Sequence, residues 1–319
     1  MLELLTKEGF TLDSSVKLRT FDGTLLDDMD TIKTYLATIT TSKSAKLQPY
    51  KSFYYINHDN DYIKIKTSKH AVLSVYCYKH DPRYKRYFGL LTYDGSHYHG
   101  FQKQPSDPSI QETLEQILKH LCGHDVTIHA SGRTDKGVHA LEQPFHFDSS
   151  TNIPVQRLLK VINDMLPSDI KLLNLDEVLP VFHARYDALK KTYRYMIDLT
   201  DNPFNAHYQA KASNLNVDAF KERLNTFIGT HDFTNFSKQN HQGNSIRTIY
   251  TIDYLKSDES FTIEITGDGF LRYMVRMMIG AALHLDKNAI EKALDDPNTP
   301  VLKYVSEANG LYLKAVYYN

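Results

Sequence analysis

The stretch Gly132-Arg133-Thr134-Asp135-Lys136-Gly137-Val138-His139 decides how this chain is read. It is the densest polar segment of the sequence, and two strand-like runs bracket it, VTIHA (126–130) and FHFD (145–148). Two glycines permit an irregular backbone around Arg133, Thr134, Asp135 and Lys136. A carboxylate between two cations is expected to ionise readily, which suits a nucleophile or base and disfavours a proton donor at neutral pH. On local pattern alone, a charged hairpin turn closed by surface ion pairs is the blander and commoner reading.

Working outward, the texture is that of interleaved strands and helices. YFGLLTYDG, from Tyr87, reads as a strand ending in a turn. Ser109 to Glu112 forms a capping-box pattern, and Ile110, Leu114, Ile117, Leu118 and Leu121 follow at helical spacing. A helix near 154–166 is expected to bury Val155, Leu158, Leu159, Ile162 and Met165. KTYRYMID (191–198) alternates as a strand. A helix near 217–228, strands at 248–255 and 260–266, a helix across 270–283 and a closing strand at 311–318 follow. The long helix carries the apolar stripe Met274, Val275, Met278 and Ile279. Two such alternations predict two α/β-type lobes. Ahead of them, 26–39 reads as a helix with Ile32, Tyr35 and Leu36 on one side, and 41–51 as a loop around Pro49. Strands at 53–56, 62–66 and 71–78, with a turn at 58–61, complete a small α+β or β-meander unit, and 79–86 is a connector.

Composition narrows the class. The 319 residues carry 37 Lys+Arg against 38 Asp+Glu, with 41% hydrophobic and 24% charged residues, an ordinary globular balance. A net charge of −1 gives no global sign of nucleic-acid binding. No apolar run reaches membrane-span length, and the start MLELLTKEGF does not read as a signal peptide. Cys77 and Cys122 are too few for a disulfide framework, so a reducing, cytoplasmic setting is expected. The near-zero total hides a division. Residues 1–30 hold 3 basic and 7 acidic groups, 31–85 hold 10 and 3, and 86–319 hold 24 and 28, giving −4, +7 and −4. No HxxxH, HExxH or Cys/His cluster is present, and no Walker or Rossmann glycine loop, so neither a metal nor a nucleotide site is expected. His139, His146 and His183 read as structural.

Several segments together resemble the TruA family of tRNA pseudouridine synthases. GRTDKGVHA is similar to that family's catalytic loop. YDGSHYHGFQKQ (93–104), SIQETLEQIL (109–118), NDMLPSDI (163–170), FHARYDALKKTYRY (182–195), GTHDFTNFSK (229–238), IRTI (246–249), GDGFLRYMVRMMIG (267–280) and NGLYLKAV (309–316) match in the expected order. The resemblance covers about residues 86–319. It implies an α+β, TruA-like pseudouridine synthase fold, with two mixed α/β lobes (86–190 and 191–319) sharing a central sheet, plus an unrecognised segment at 1–85.

It also implies a reaction. Uridine in tRNA is isomerised by breaking N1–C1′, turning the base and rejoining it through C5, with no cofactor and no metal. Asp135 matches the family's aspartate, which either attacks C1′ or assists loss of the 2′-hydrogen. Arg276 matches the arginine that pairs with it, where a bidentate guanidinium would orient the carboxylate and keep it ionised. Tyr193 matches the tyrosine that stacks on the extruded base and assists proton removal from C5. Arg133 would insert where the base was or contact its phosphate. Thr134, Lys136, Tyr93 and Phe101 are further substrate-contact candidates, although a plain strand-ending turn explains Tyr93, Asp94 and Gly95 equally well. Phe101 stands where the family often has Trp, and Lys136 where it often has Ala. The implied partners are tRNA, with the anticodon stem-loop at uridines 38–40 as substrate, and a second copy of the chain, with no membrane.

The front segment is outside the resemblance. Its +7 block is expected either to supply part of the RNA surface or to act as a structural cap or dimer extension. Rival readings are a pseudouridine synthase with another RNA target, a non-catalytic RNA-binding or RNA-folding protein, and a metal-dependent nuclease. The nuclease reading lacks a second acidic ligand near Asp135, and pure RNA binding needs no carboxylate facing the RNA.

Overall fold

A computed structural model describes residues 1–39, 45–58, 60–238, 244–299 and 303–319. The front of the chain forms helix α1 (Leu2–Lys7), strands β1 (Thr11–Arg19) and β2 (Leu25–Leu26), helix α2 (Met29–Thr38), and strands β3 (Gln48–Tyr50), β4 (Phe53–His58), β5 (Asp61–Ser68) and β6 (Ala71–Tyr78). They build a six-stranded sheet in the order β2-β1-β6-β5-β4-β3. Strands β4 to β6 run as the expected meander, with β3 added at its edge, but β1 lies parallel beside β6, a long-range pairing that local pattern does not reveal. One side of the sheet is apolar. Ile56, Ile63, Ile65, Val72 and Val75 pack beneath Leu5, Ile32 and Leu36 of the helices. The side chain of Asp28 caps α2 by accepting from the Thr31 amide at 2.8 Å.

The body follows as β7 (Lys85–Tyr93), α3 (Ile110–Cys122), β8 (His129–Ala130), β9 (His139–Ser149), α4 (Val155–Met165), β10 (Ile170–Val178), β11 (Lys190–Asp198), β12 (Ala210–Lys211), α5 (Val217–Asn225), β13 (Gly229–Asp232), β14 (Ile246–Lys256), β15 (Ser260–Gly267), α6 (Met274–His284), α7 (Lys287–Asp295) and β16 (Leu311–Tyr317). Its ten strands form one sheet, β10-β7-β9-β16-β11-β15-β14-β13, with β8 beside β9 and β12 beside β11. The last strand closes the gap between the halves. β16 pairs parallel with β9 through Tyr312–His139 and antiparallel with β11. Helices α3 and α4 cover the first half around Phe145, Leu158 and Ile162, and α5, α6 and α7 cover the second around Phe220, Met278 and Ile290. Tyr193 on β11 packs against both cores.

Several sequence expectations are corrected. Residues 48–50 are a strand rather than loop. Pro49 is tolerated there because β3 is an edge, where a missing N–H costs no ladder bond. Residues 41–44, and residue 59 of the expected 58–61 turn, lie outside the described residues. Only 129–130 of the 126–130 run is strand. Met165 is exposed at the end of α4. The helix expected from 270 begins at Met274, because Tyr273 adopts a left-handed φ of 63°. The helix expected near 217–228 ends at Asn225.

The front sheet docks on the body through a mixed patch. Phe53, Phe88, Val181, Phe182, Ala184 and Tyr318 form a buried cluster across the junction. Lys64 is buried and paired with the fully buried Asp187, whose carboxylate also meets Lys66 Nζ at 3.0 Å. Lys64 also donates to the Val181 carbonyl at 3.1 Å. On the body side of the junction Arg86 grips Asp148 through two nitrogens, both bonds at 2.7 Å, donates to the Phe182 carbonyl, and reaches the Tyr78 hydroxyl of the front sheet at 3.3 Å.

Candidate active site

The polar loop 131–138 joins β8 to β9 and leans on the turn that follows β7. The sequence closes this junction with small residues for a steric reason. A Cβ at Gly95 would overlap the Val138 carbonyl, and one at Gly100, where φ is +95°, would come within 2.6 Å of the Thr134 oxygen. Phe101 N–H donates to Thr134 O at 3.1 Å, and the Tyr93 hydroxyl lies 2.9 Å from Thr134 Oγ1. Below, Asp94 accepts from Ser96 N and Oγ and from the Tyr208 hydroxyl at 2.9 Å. Burial pushes the Asp94 carboxyl up, but those bonds and nearby His139 outweigh it and hold it below the usual range. His139 is buried and stacked on Tyr312 at 4.7 Å, and burial lowers its basicity.

Asp135 sits at the tip of this brace with its side chain 21% exposed. Arg276, from α6, places Nη1 4.0 Å from Asp135 Oδ2. That distance is an ion-pair contact rather than the expected bidentate hydrogen-bonded grip, and Arg276 Nε donates instead to the Ser306 carbonyl at 2.7 Å. Tyr193 lies near enough for the carboxylate to act on it. Burial, and then the charge of Asp135, raise the phenol well above its ordinary range. Its ring meets Phe270 edge-on at 5.0 Å. The structure therefore brings Asp135, Arg276 and Tyr193 together, from a loop, a helix and a central strand.

The electrostatics differ from the sequence expectation. The Asp135 carboxyl is raised, first by burial, with Arg276, then Arg272 and Lys238, opposing. The flanking cations play no part in this. Arg133 is exposed, and Lys136 Nζ points away to His99 Nε2 at 2.7 Å. Arg272, Lys238 and Arg276 gather instead around the ring of Tyr273, at 5.4, 4.9 and 5.0 Å. Both Arg272 and Lys238 lie within segments already quoted, but nothing in linear spacing places residue 238 beside residue 272. Their link is the Lys238 N–H to Arg272 O bond at 3.0 Å. Lys191 was also missed. Half-buried at the root of the loop, it donates to Ser131 O at 2.7 Å, and desolvation lowers its pKa to about 8.

Three substrate-contact candidates are internal. Phe101 is 2% exposed and belongs to the first-half core, so its ring offers no aromatic surface. Tyr93 and Thr134 are buried against each other. All three brace the loop. Among the described residues, no group of three or more His, Cys, Asp or Glu is arranged to hold a metal ion, and no helix is long and apolar enough to cross a membrane.

A family profile described as tRNA pseudouridine synthase matches residues 91–187 and 224–319. A tRNA pseudouridine synthase A from Exiguobacterium sp. is 38% identical over 236 residues, which is 72% of this chain and 96% of that protein. Proteins of the same name from Staphylococcus aureus and Staphylococcus epidermidis are 36% identical over 71% of this chain and 88% of theirs. Among solved structures, an archaeal box H/ACA Nop10–Cbf5 complex aligns with a TM-score of 0.31 and 14% identity, over 70% of this chain and 46% of that one.

Proposed function

The chain belongs to the tRNA pseudouridine synthase family, and from that premise we propose that it isomerises uridine to pseudouridine in the tRNA anticodon stem-loop, at positions 38–40, with Asp135 as the catalytic carboxylate. The single observation that carries this reading is the convergence on Asp135 of Arg276 at 4.0 Å and of Tyr193, in a loop whose backbone packs directly against Gly95 and Gly100. In this reading residues 1–85 are an appended unit, and 86–190 and 191–319 are the two catalytic lobes.

The bonding changes balance without any co-reactant. As N1–C1′ breaks, its electron pair leaves with the base. Asp135 either bonds to C1′ or takes the 2′-proton so that a C1′=C2′ bond forms. The base then turns and C5 bonds to C1′, which releases the carboxylate in the first case or returns the 2′-proton in the second. The C5 proton passes to solvent and N1 gains a proton. Arg276 steadies the carboxylate and favours its ionised form against burial. The ring of Tyr193 supplies a platform for a base removed from its stack. Its hydroxyl stays protonated at neutral pH, which favours that platform role over service as a free base. The exposure of Arg133 supports contact with RNA, and Arg272 and Lys238 add positive charge near Asp135. A homodimer working in the cytoplasm fits the family resemblance, and exposed Ile246, Tyr250 and Leu255 along β14 offer apolar surface for it.

The test is to incubate the purified chain with unmodified tRNA transcripts and map pseudouridine by position. Modification at 38–40 is expected. Modification only in other RNAs would transfer the function to the alternative target, and none anywhere would leave the RNA-binding reading.

A further inference from the structure

One half of one side of the front sheet is covered by the body, and the other half is open. Strand register puts Arg19, Tyr76, Lys64 and Tyr55 in one row across β1, β6, β5 and β4, and Lys17, Ser74 and Lys66 in the next. Directly paired residues share a side of the sheet. The β5–β4 half of this side meets the body through Lys64, Lys66 and Phe53. The β1–β6 half faces solvent, with Lys17 and Arg19 exposed and Tyr76 42% exposed. Neither row contains an acidic residue. Asp13, further along β1, is occupied by Ser15 through its N–H at 2.8 Å and its hydroxyl at 2.6 Å.

The open strip leads toward the Asp135 loop. Lys66, two strands or about 10 Å from Lys17, donates to the Tyr186 carbonyl. Tyr186 is 64% exposed, and the guanidinium of exposed Arg185 lies 5.8 Å from its ring. The charge of Arg185 reaches Lys191, which holds the loop root at Ser131. Exposed cations with an interleaved aromatic ring, in rows that hold no carboxylate, fit a phosphate backbone.

We propose that the open half of the front sheet, centred on Lys17, Arg19 and Tyr76, binds the phosphate backbone of the same tRNA whose uridine reaches Asp135. This rests on the catalytic reading above. The surface lies outside the matched family segments, which begin at residue 91. It also lies mostly outside the +7 block, several of whose cations are spent on docking or on local pairs: Lys64 and Lys66 on Asp187, Lys85 on Glu177 and Arg83 on Asp81.

The experiment compares full-length wild type, Lys17→Glu/Arg19→Glu and Lys33→Glu, the last an exposed change on the helical side of the same unit. Affinity for an unmodified tRNA transcript is measured against salt, with pseudouridine formation by the wild type recorded in the same preparation. The double variant is expected to bind about tenfold more weakly or worse and to lose roughly two units of log–log salt slope, about 0.9 per phosphate contact. Lys33→Glu is expected to keep the wild-type slope. If the wild type makes pseudouridine and the double variant keeps both affinity and slope, the surface proposal is overturned while the catalytic reading stands. That result would also be the outcome if the strip served a protein partner. An equal loss in Lys33→Glu would reduce the effect to net charge and overturn the proposal as well. Absence of pseudouridine with the wild type would remove the catalytic reading and the surface with it.

Discussion

At the scale of single residues, the chain places its key carboxylate against its own ionisation. Burial raises the Asp135 pKa, and Arg276, Arg272 and Lys238 recover only part of the shift. Between the unfolded and folded pKa values the native state holds the extra proton, so this group's contribution to stability falls as pH rises through that window. Chemistry needs the ionised form, so the acid limb of the rate profile is expected above the ordinary carboxylate range. Arg276→Gln should move that limb to higher pH, and a pH–rate profile at saturating tRNA reads the shift directly; a limb that stays put would separate Arg276 from the carboxylate. Asp135→Asn should be at least as heat-stable as the wild type at neutral pH, measured by thermal unfolding, since it removes a desolvated charge. The sequence made Asp135 legible through its motif but misassigned its electrostatic partners. Adjacency pointed to Arg133 and Lys136, whereas a loop turns neighbouring side chains apart and tertiary contact supplies the cations.

At the scale of elements, the active loop depends on two turns meeting without side chains between them. Gly95→Ala is expected to cost about 1–3 kcal/mol, as overpacking does, and to lower turnover at least tenfold because the Val138 backbone must move. Gly132→Ala should be milder, since its new Cβ would stand 3.3 Å from the side-chain end of Lys191 rather than overlap backbone. Denaturant titration and single-turnover rates on the two variants check the ranking, and equal tolerance at Gly95 would contradict the bracing role. Periodicity located most helices and strands well, including α3 with its Ser109 cap. It failed at the start of α6, where an apolar run continues through a left-handed Tyr273 that no periodic pattern reports. It also could not tell that Phe101 belongs to the core, because an aromatic beside a glycine turn reads the same buried or exposed.

At the scale of the whole molecule, the front unit is fastened to the body by buried charge and aromatic packing. Asp187→Ala strands the Lys64 ammonium and should cost about 3–5 kcal/mol, and Lys64→Met with Asp187→Leu should cost less than that single change. Chemical unfolding of the three proteins tests this, and a single change milder than the double would refute it. Deleting residues 1–80 would bare Phe88, Val181, Phe182 and Tyr318, so charge reversal on the intact chain is the cleaner probe of RNA contact. The two lobes were readable because their motifs match the family's in order, while the docking of the front sheet was not. Block charge does not report which part of a sheet face is covered: Lys64 and Arg19 share one side of the sheet, yet the body buries Lys64 and leaves Arg19 in solvent. The account as a whole rests on Asp135 breaking a glycosidic bond so that C5 can take the place of N1. That exchange expels the C5 hydrogen, so tritium release from tRNA carrying 5-tritiated uridine measures it. The account expects release by the wild type, and release at least ~10³-fold slower by an Asp135→Asn protein that still binds the tRNA. Wild-type release rates from Asp135→Asn would contradict it.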